Sequence, residues 1–179
     1  MNMIIRQLFY LLLFFTTVNV TNGFMRSGIT IYGYVMPSAE PQGVIVTKRS
    51  NNETEFLYTE EFNANTNPLK LYFNYLFENT GKRQIVEVDN LCAEHKYGTP
   101  EYAAKLYVLK YFANTDKCPI KKGTKVTFKI GQRFIYSIEN PGCGINVGTF
   151  SLFKKTSIPD ITPLVFLVNF RGNITGPDC

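Results

Sequence analysis

The sequence predicts a mostly β chain that forms an antiparallel β-sandwich or β-cup, immunoglobulin-like in architecture, with one helix at its rim. Three observations predict it. The hydrophobic period is close to 2 in many short segments, turn residues such as Gly, Pro and Asn separate those segments, and one helical pattern lies between Cys92 and Cys118. Short strands with turns between them favour two packed antiparallel sheets.

Eight segments carry the strand pattern. The clearest is the stretch 69–77, where Leu69, Leu71, Phe73, Tyr75 and Phe77 alternate with Lys70, Tyr72 and Asn74. The other strands are predicted at 29–36, 44–47, 85–88, 125–130, 134–138, 149–155 and 164–171. The polar region that holds Glu53, Glu55, Glu60 and Glu61 is predicted to be a solvated loop rather than an acid–base pair.

The helix begins with recognisable signals. Thr99 provides an N-cap hydroxyl, Pro100 takes the first helical position, and Glu101 places a carboxylate near the positive end of the helix dipole. The residues that share one face at helical spacing are Tyr102, Leu106, Leu109 and Ala113, with Tyr107 and Tyr111 on another face. The stretch 114–117 ends the helix, and both a packed scaffold and a cavity rim are compatible with this pattern.

The first 23 residues have the pattern of a cleaved signal peptide. Arg6 is their only charge, residues 8–15 are continuously apolar, and Thr21 and Gly23 lie at the −3 and −1 positions of a cut before Phe24. A short membrane tether is the alternative interpretation. Cleavage predicts one domain at 24–179 that is secreted or delivered to the lysosomal lumen, and the 156 residues left of 179 suffice for one core.

The amino-acid composition limits the classes of molecule that the chain is predicted to bind. The chain has 15 Phe and 11 Tyr, more than a core of this size needs, so either a Phe-rich core or an aromatic cavity would account for them. The net charge is +5, and removing Arg6 lowers it by one to +4. No nucleic-acid motif is present, and the scattered basic residues are either turn residues or a collar facing an anionic membrane surface. They are Lys48, Arg49, Lys82, Arg83, Lys121, Lys122, Lys125, Lys154 and Lys155.

Four cysteines lie in the mature chain, and their order alone does not choose among the three possible pairings. An oxidising compartment makes two disulfides the default. We favour Cys92 with Cys118, which would clamp the helix across a sheet edge, and Cys143 with Cys179 by elimination.

Catalytic chemistry is not predicted. His95 is the only histidine, so no two-histidine metal site can be assembled and a catalytic triad would depend on it alone. The nearby Cys92 cannot act as a nucleophile when it is held in a disulfide. No phosphate-binding glycine loop and no Gly-x-Ser-x-Gly motif are present, and neither a cofactor nor a metal is expected.

Two Asn-x-Thr tripeptides are candidate glycosylation sites. Asn52 and Asn173 both lie in sequence that is turn-like or terminal, where a glycan would reach solvent. Asn52 is the stronger candidate.

The chain resembles the ML-domain lipid-recognition family, in particular the ganglioside-activator-like branch with its insect chemosensory relatives. The resemblance is carried by the stretch 67–70 leading a strand, Cys92 lying 26 positions before Cys118, the block 118–124, and the stretches 148–152 and 164–174. It covers most of the mature chain. The sequence departs from the family in lacking a cysteine near the mature N-terminus and the extra cysteines of the helical loop.

The resemblance implies a β-cup with an apolar cavity between its sheets, a lipid acyl chain or similar ligand inside, and no cofactor. It also implies that Cys92–Cys118 brackets the rim helix. We expect the cavity lining to include Phe73, Tyr75, Leu106, Leu109, Phe128, Phe150, Leu152, Phe166, Val168 and Phe170.

The leading hypothesis is a secreted, non-enzymatic protein that holds a lipid or fatty-acid-derived hydrophobic ligand. The alternative is a protein-interaction factor without a lipid cargo, such as a glycosidase accessory, a receptor ligand, or a venom or salivary effector. A membrane surface, a protein receptor and a hydrolase are the further partner classes.

Overall fold

A computed structural model describes residues 24–139, 142–156, 162–177 and 179. The predicted signal peptide lies outside these residues. Nine strands and one helix occur in the described part of the chain. In order they are β1 (Phe24–Pro37), β2 (Val44–Lys48), β3 (Glu53–Tyr58), β4 (Leu69–Phe77), β5 (Arg83–Val88), α1 (Pro100–Phe112), β6 (Lys125–Lys129), β7 (Arg133–Ile138), β8 (Gly144–Lys154) and β9 (Leu164–Thr175).

The strands form two antiparallel sheets, which confirms the predicted fold class. The larger sheet has the order β5-β4-β8-β9-β1-β7, and the smaller has the order β2-β3-β6. Strand β4 shows the predicted alternation: Leu69, Leu71 and Phe77 are buried, while Leu76 on the opposite face is exposed. The apolar faces of both sheets point toward a shared core.

The central strand of the smaller sheet was predicted as a solvated loop, and this prediction is wrong for Glu53 and Glu55. Both carboxylates lie on the outer face of β3, where Glu53 pairs with Lys129 at 2.8 Å and Glu55 pairs with Arg49 at 2.6 Å. Phe56 and Tyr58 alternate with them and are fully buried. Cross-strand charge pairing allows this acidic segment to be a strand.

The larger sheet curls strongly. Six strands spaced about 4.8 Å apart would place the two edge strands about 24 Å apart if the sheet were flat. Val86 of edge strand β5 and Phe134 of edge strand β7 nevertheless line the same small cavity, of about 120 Å³, and α1 contacts both strands. The sheet is therefore a cup, and α1 lies across its opening.

Helix α1 begins where the sequence predicts. The Thr99 hydroxyl accepts a hydrogen bond from the Tyr102 amide at 3.3 Å, Pro100 follows at the first position, and Asn114 has a left-handed φ of 49° just beyond the helix end. The residues predicted to share one face differ in burial. Leu109 and Ala113 are fully buried, whereas Tyr102 and Leu106 are half-buried. Val108 and Phe112, which were not assigned to that face, are also fully buried.

Side-chain hydrogen bonds fix the middle and the C-terminal end of the helix. The Tyr58 hydroxyl donates to the Phe112 carbonyl at 2.9 Å, which satisfies a free acceptor at the helix C-terminus. The Tyr111 hydroxyl donates to the Arg133 carbonyl at 2.5 Å, and Lys105 Nζ donates to the Ala93 carbonyl at 2.6 Å. The rim helix is thus tied to both sheets.

Two disulfides are present, and both favoured pairings are confirmed. Cys92 and Cys118 are joined across a sequence separation of 26 residues that includes α1, and Cys143 and Cys179 are joined across 36. Such bonds are consistent with an oxidising compartment. Among the described residues, none of the helices has the length and apolar character needed to span a bilayer.

Candidate functional site

A cavity of about 120 Å³ lies between the concave face of the larger sheet and the N-terminal half of α1. Its walls come from β1, β4, β5, β7, β8 and β9 together with Ala103, Ala104 and Tyr107 of the helix. The smaller sheet contributes none of the lining residues. The space is therefore under the helix, not between the two sheets where the resemblance implied it.

Aromatic side chains dominate the cavity wall. Neighbouring rings contact one another at centroid distances near 5 Å: Phe73 lies 5.3 Å from Phe170, and Phe134 lies 5.2 Å from Tyr107. The lining aromatic residues are Phe73, Tyr75, Tyr107, Phe134, Tyr136 and Phe170. Rings locked by edge-to-face and stacked contacts make a rigid, largely apolar wall.

Three of the ten residues expected at the cavity do line it: Phe73, Tyr75 and Phe170. The other seven lie elsewhere in the apolar interior. Leu106 packs half-buried against the core, and the remaining six are buried within it. These six are Leu109, Phe128, Phe150, Leu152, Phe166 and Val168.

Phe112 explains why those residues do not face a void. Its fully buried ring lies between the sheets, 4.7 Å from Phe128 on the smaller sheet and 4.8 Å from Phe150 on the larger. Phe56 and Phe166 contact the same ring at 5.3 and 5.7 Å. The C-terminal end of α1 therefore fills the space between the sheets next to these rings, and the cavity lies beneath the N-terminal half of the helix.

Burial holds the tyrosine hydroxyls of the cavity in their neutral form. It raises the pKa of Tyr107 to about 12, an effect partly offset by a hydrogen bond with the Thr30 side chain. Burial also raises the pKa of Tyr136 to about 12, with the nearby Arg26 acting in the opposite direction, and it raises the pKa of Tyr75. At neutral pH these hydroxyls are uncharged hydrogen-bonding groups on an apolar wall.

The other polar side chains at the cavity are the Thr30 hydroxyl and the amides of Gln132, Asn146 and Asn173. Asn146 is almost fully buried and donates from Nδ2 to the Gly144 carbonyl at 3.3 Å. Gln132 reaches the cavity from the turn between β6 and β7, and its side-chain oxygen is buried. Among the described residues, the lining includes no Asp, Glu, His, Lys, Arg or Cys. The site offers hydrogen bonds but no formal charge.

The two candidate glycosylation sites have different surroundings. Asn52 is exposed in the turn between β2 and β3. Asn173, predicted to be in a terminal or turn-like segment, instead lies within β9, paired with Ile29 on β1 and Ile145 on β8. It is half-buried and lines the cavity. The position of β9 in the middle of the larger sheet accounts for this difference.

The candidate catalytic pair remains apart from the cavity. His95 Nε2 lies 3.1 Å from the Asn90 carbonyl, and Cys92 is held in its disulfide. Neither residue lines the cavity.

Several cavity residues were not predicted. Phe134, Tyr136 and Ile138 alternate along β7 with the exposed Ile135, a period-2 pattern that marks an inward face. Tyr107 was assigned to a different helix face from Leu106 and Leu109. The face that carries Tyr107 is the one that meets the cavity. No sequence signal identified Gln132, because its position depends on how β7 joins β1.

No family model, curated protein or solved structure matches this chain. The assignment of a function therefore depends on the geometry of the site.

Proposed function

We propose that the protein is a non-enzymatic carrier that holds a lipid or fatty-acid-derived hydrophobic ligand in the cavity beneath α1. The observation that carries the proposal is the aromatic wall without formal charge, closed on one side by a disulfide-bracketed helix. Among the described residues, the lining offers tyrosine hydroxyls and amides but no carboxylate or imidazole to transfer protons at neutral pH. Such a wall favours binding over catalysis.

The cavity volume limits what fits inside. Drug-sized ligand sites typically measure about 300–1,000 Å³, whereas an apolar cavity of about 150 Å³ accepts a guest the size of benzene. The 120 Å³ space thus suits one short apolar chain or ring, with the remainder of a larger lipid outside it. Each buried methylene would contribute about 0.8 kcal/mol before ordering costs are subtracted.

We also propose that the chain is a secreted member of the ML-domain lipid-recognition family, of the ganglioside-activator-like type. The two packed antiparallel sheets and the Cys92–Cys118 bond around the helix support this proposal. The two disulfides support an extracellular or lysosomal location. N-terminal sequencing of protein exported from a secretory host tests the location, since a mature chain beginning at Phe24 is expected.

Ligand binding is tested on full-length chain expressed in a secretory host. Native mass spectrometry should detect a co-purified hydrophobic molecule, and a short fluorescent fatty-acid probe should bind. Ala104→Phe would fill the cavity from the helix side and should abolish probe binding. Ala39→Phe, at an exposed position outside the cavity, is the matched control and should leave binding unchanged.

Two results would contradict the carrier proposal. One is the absence of both co-purified ligand and probe binding in correctly folded wild-type protein. The other is equal probe affinity in wild type and Ala104→Phe, because binding would then occur outside the cavity.

A second candidate, a protein-interaction factor, rests on the outer face of β1. Tyr32, Tyr34 and Met36 alternate along this strand and are 62%, 50% and 48% exposed. Tyrosine and methionine are common in interface cores. A stoichiometric protein partner that is retained by lipid-free wild type and lost by a Tyr32→Ser/Tyr34→Ser variant would favour this function over the carrier.

A further inference from the structure

Part of strand β1 is an open edge of the larger sheet. Strand β9 pairs with β1 as far as Pro37, but β7 pairs with the other side of β1 only from Phe24 to Ile29. A bulge interrupts the β1–β9 register at residues 30–32, and beyond it no strand in the described part of the chain pairs with the free side of β1. Residues 32–36, here called the β1 edge, therefore turn alternate backbone N–H and C=O groups to a side without a strand partner.

The other edges of the two sheets are protected. Helix α1 lies against both outer strands of the larger sheet, β5 and β7, and the Tyr111 hydroxyl donates to the Arg133 carbonyl of β7. The outer strands of the smaller sheet, β2 and β6, are each five residues long and carry the exposed Lys48, Lys125 and Lys129. Short edge strands, exposed lysines and covering helices are devices by which proteins prevent edge-to-edge pairing.

The β1 edge has no charge that would repel a second strand. It belongs to a strand of 14 residues, and no Asp, Glu, Lys or Arg occurs between Arg26 and Glu40. Its outer face carries the exposed side chains of Tyr32, Tyr34 and Met36. A long, uncharged edge with exposed apolar side chains is a template for another strand.

The sequence of the β1 edge is complementary to itself in antiparallel register. When two copies are paired about a two-fold axis at Tyr34, that tyrosine faces its counterpart, and Tyr32 faces Met36 of the second copy. Aromatic pairs and aromatic–sulfur contacts would then form across the outer face. On the inner face Val35 lies opposite Gly33, so a larger side chain is matched with the smallest residue.

We propose that the β1 edge is a homodimerisation site, where two copies of this chain pair antiparallel and join their larger sheets. The occupant is a second copy because the edge is matched to itself, whereas a charged peptide would meet no opposite charge there. Five paired residues per chain make a small interface, so the dimer is reversible. The inference goes beyond the carrier function and is independent of it, because Tyr32, Tyr34 and Met36 do not line the cavity.

Sedimentation velocity of the full-length chain from a secretory host measures the association. The average mass of wild type should rise from monomer to dimer as concentration increases. Tyr34→Lys places two lysines opposite each other at the axis and should raise the dimer dissociation constant at least about tenfold. Ile85→Lys is the matched control: it lies on β5, at the far edge of the same sheet, and both positions are 50% exposed. It should leave the dissociation constant within about twofold of wild type.

Tyr34→Cys tests the register. Directly opposite residues of antiparallel strands have Cα atoms about 4.5–5.5 Å apart, which is within disulfide range. Mild oxidation should therefore convert Tyr34→Cys into a covalent dimer, whereas Ile85→Cys should remain monomeric. Both substitutions are at exposed positions on the outer face, so the thiols are equally open to solvent.

Several results would overturn the proposal. They are a wild type that stays monomeric, a dimer that survives Tyr34→Lys, and equal weakening by Tyr34→Lys and Ile85→Lys, which would assign the effect to net charge. A monomeric wild type whose β1 edge retains a different protein would also overturn it and assign the edge to the protein-interaction function. None of these results bears on the carrier function, which probe binding decides separately. Oxidation of Tyr34→Cys keeps the proposal testable even if Tyr34→Lys does not fold.

Discussion

The ring of Phe112 stacks on the ring of Phe128, with centroids 4.7 Å apart and planes inclined by 19°. This contact joins the end of the rim helix to the smaller sheet at the centre of the sandwich. The same ring meets Phe150 edge-on at 4.8 Å on the larger sheet. One helical side chain thus sets the boundary between solid core and open cavity.

Replacing Phe112 with alanine should be among the most destabilising substitutions in the chain. The side chain is fully buried among other rings, and removing such a group typically costs about 3–5 kcal/mol of unfolding free energy. Denaturant unfolding measures the loss. Tyr32→Ala, at a 62% exposed position, should change stability by about 0.5 kcal/mol or less.

The Phe112→Ala variant should also accept larger ligands, provided that it folds. Removing the ring connects the space between the sheets with the cavity under the helix, so the longest fatty-acid probe that binds should lengthen. If stability falls by less than about 1 kcal/mol, the ring does not occupy the packed position described here.

The two disulfides should stabilise the fold similarly but affect the cavity differently. The disulfides close loops with sequence separations of 26 and 36 residues. In the chain-entropy model, removing either bond lowers the free energy of unfolding by about 3–4 kcal/mol. Cys92→Ala/Cys118→Ala frees the segment containing α1, which forms one cavity wall. Probe affinity at a temperature where both variants remain folded should fall in this variant.

Cys143→Ala/Cys179→Ala is the matched control, because it removes a similar loop constraint without releasing the helix. Hydrogen exchange should show faster opening of α1 amides only when Cys92–Cys118 is absent. Equal loss of probe affinity in both variants would argue against a specific role for the helix.

Glycosylation should distinguish the two acceptor asparagines. In a glycosylating secretory host, peptide mass analysis should find a glycan on Asn52, whose turn is exposed, and none on Asn173. To carry a glycan, the Asn173 side chain would have to turn out of the cavity wall. Detection of that glycan in folded, ligand-binding protein would contradict the position of the side chain.

The sequence predicts an element well when its side chains need only nonspecific apolar contacts, and poorly when they need particular partners on other strands. The pattern of β4 was predictable because Leu69, Leu71 and Phe77 need only an apolar neighbour, and any packed sheet supplies one. Strand β3 was missed because Glu53 and Glu55 pair with Lys129 and Lys125 on β6, at positions that only the pairing register determines.

The cavity was predictable in character but not in location. Phe73, Tyr75 and Phe170 were identified because they lie on inward faces. Phe150 and Phe166 lie on similar faces, yet Phe112 covers them, and the depth to which a helix enters a sandwich is a tertiary property. Helical spacing counted from Tyr102 gave no reason to prefer Phe112 over Leu106.

Removing the helix N-cap should lower the free energy of unfolding by a small amount. Thr99→Ala leaves the Tyr102 amide without its acceptor at 3.3 Å and should lower the unfolding free energy by about 1 kcal/mol. Thr99→Ser keeps the hydroxyl and should retain most of the stability. Equal loss in both variants would assign the effect to the threonine methyl group.

The buried tyrosines predict a loss of stability at high pH. The folded state keeps Tyr107 and Tyr136 protonated up to a pKa of about 12, whereas an unfolded tyrosine releases its proton near pH 10. Below pH 10 both states hold the proton, so this contribution is constant. Between pH 10 and 12 the unfolded chain binds fewer protons than the folded one, and the unfolding free energy must fall as pH rises.

Unfolding free energies measured from pH 8 to 12 check this expectation, with tyrosinate absorbance followed in parallel. Tyr107→Phe removes one of these buried hydroxyls, so the stability of the variant should decline less steeply above pH 10 than that of wild type. The comparison concerns slopes, because loss of the hydrogen bond with Thr30 shifts the whole curve by a constant. Equal slopes in the two proteins would mean that the Tyr107 hydroxyl is open to solvent, which would contradict its burial in the cavity wall.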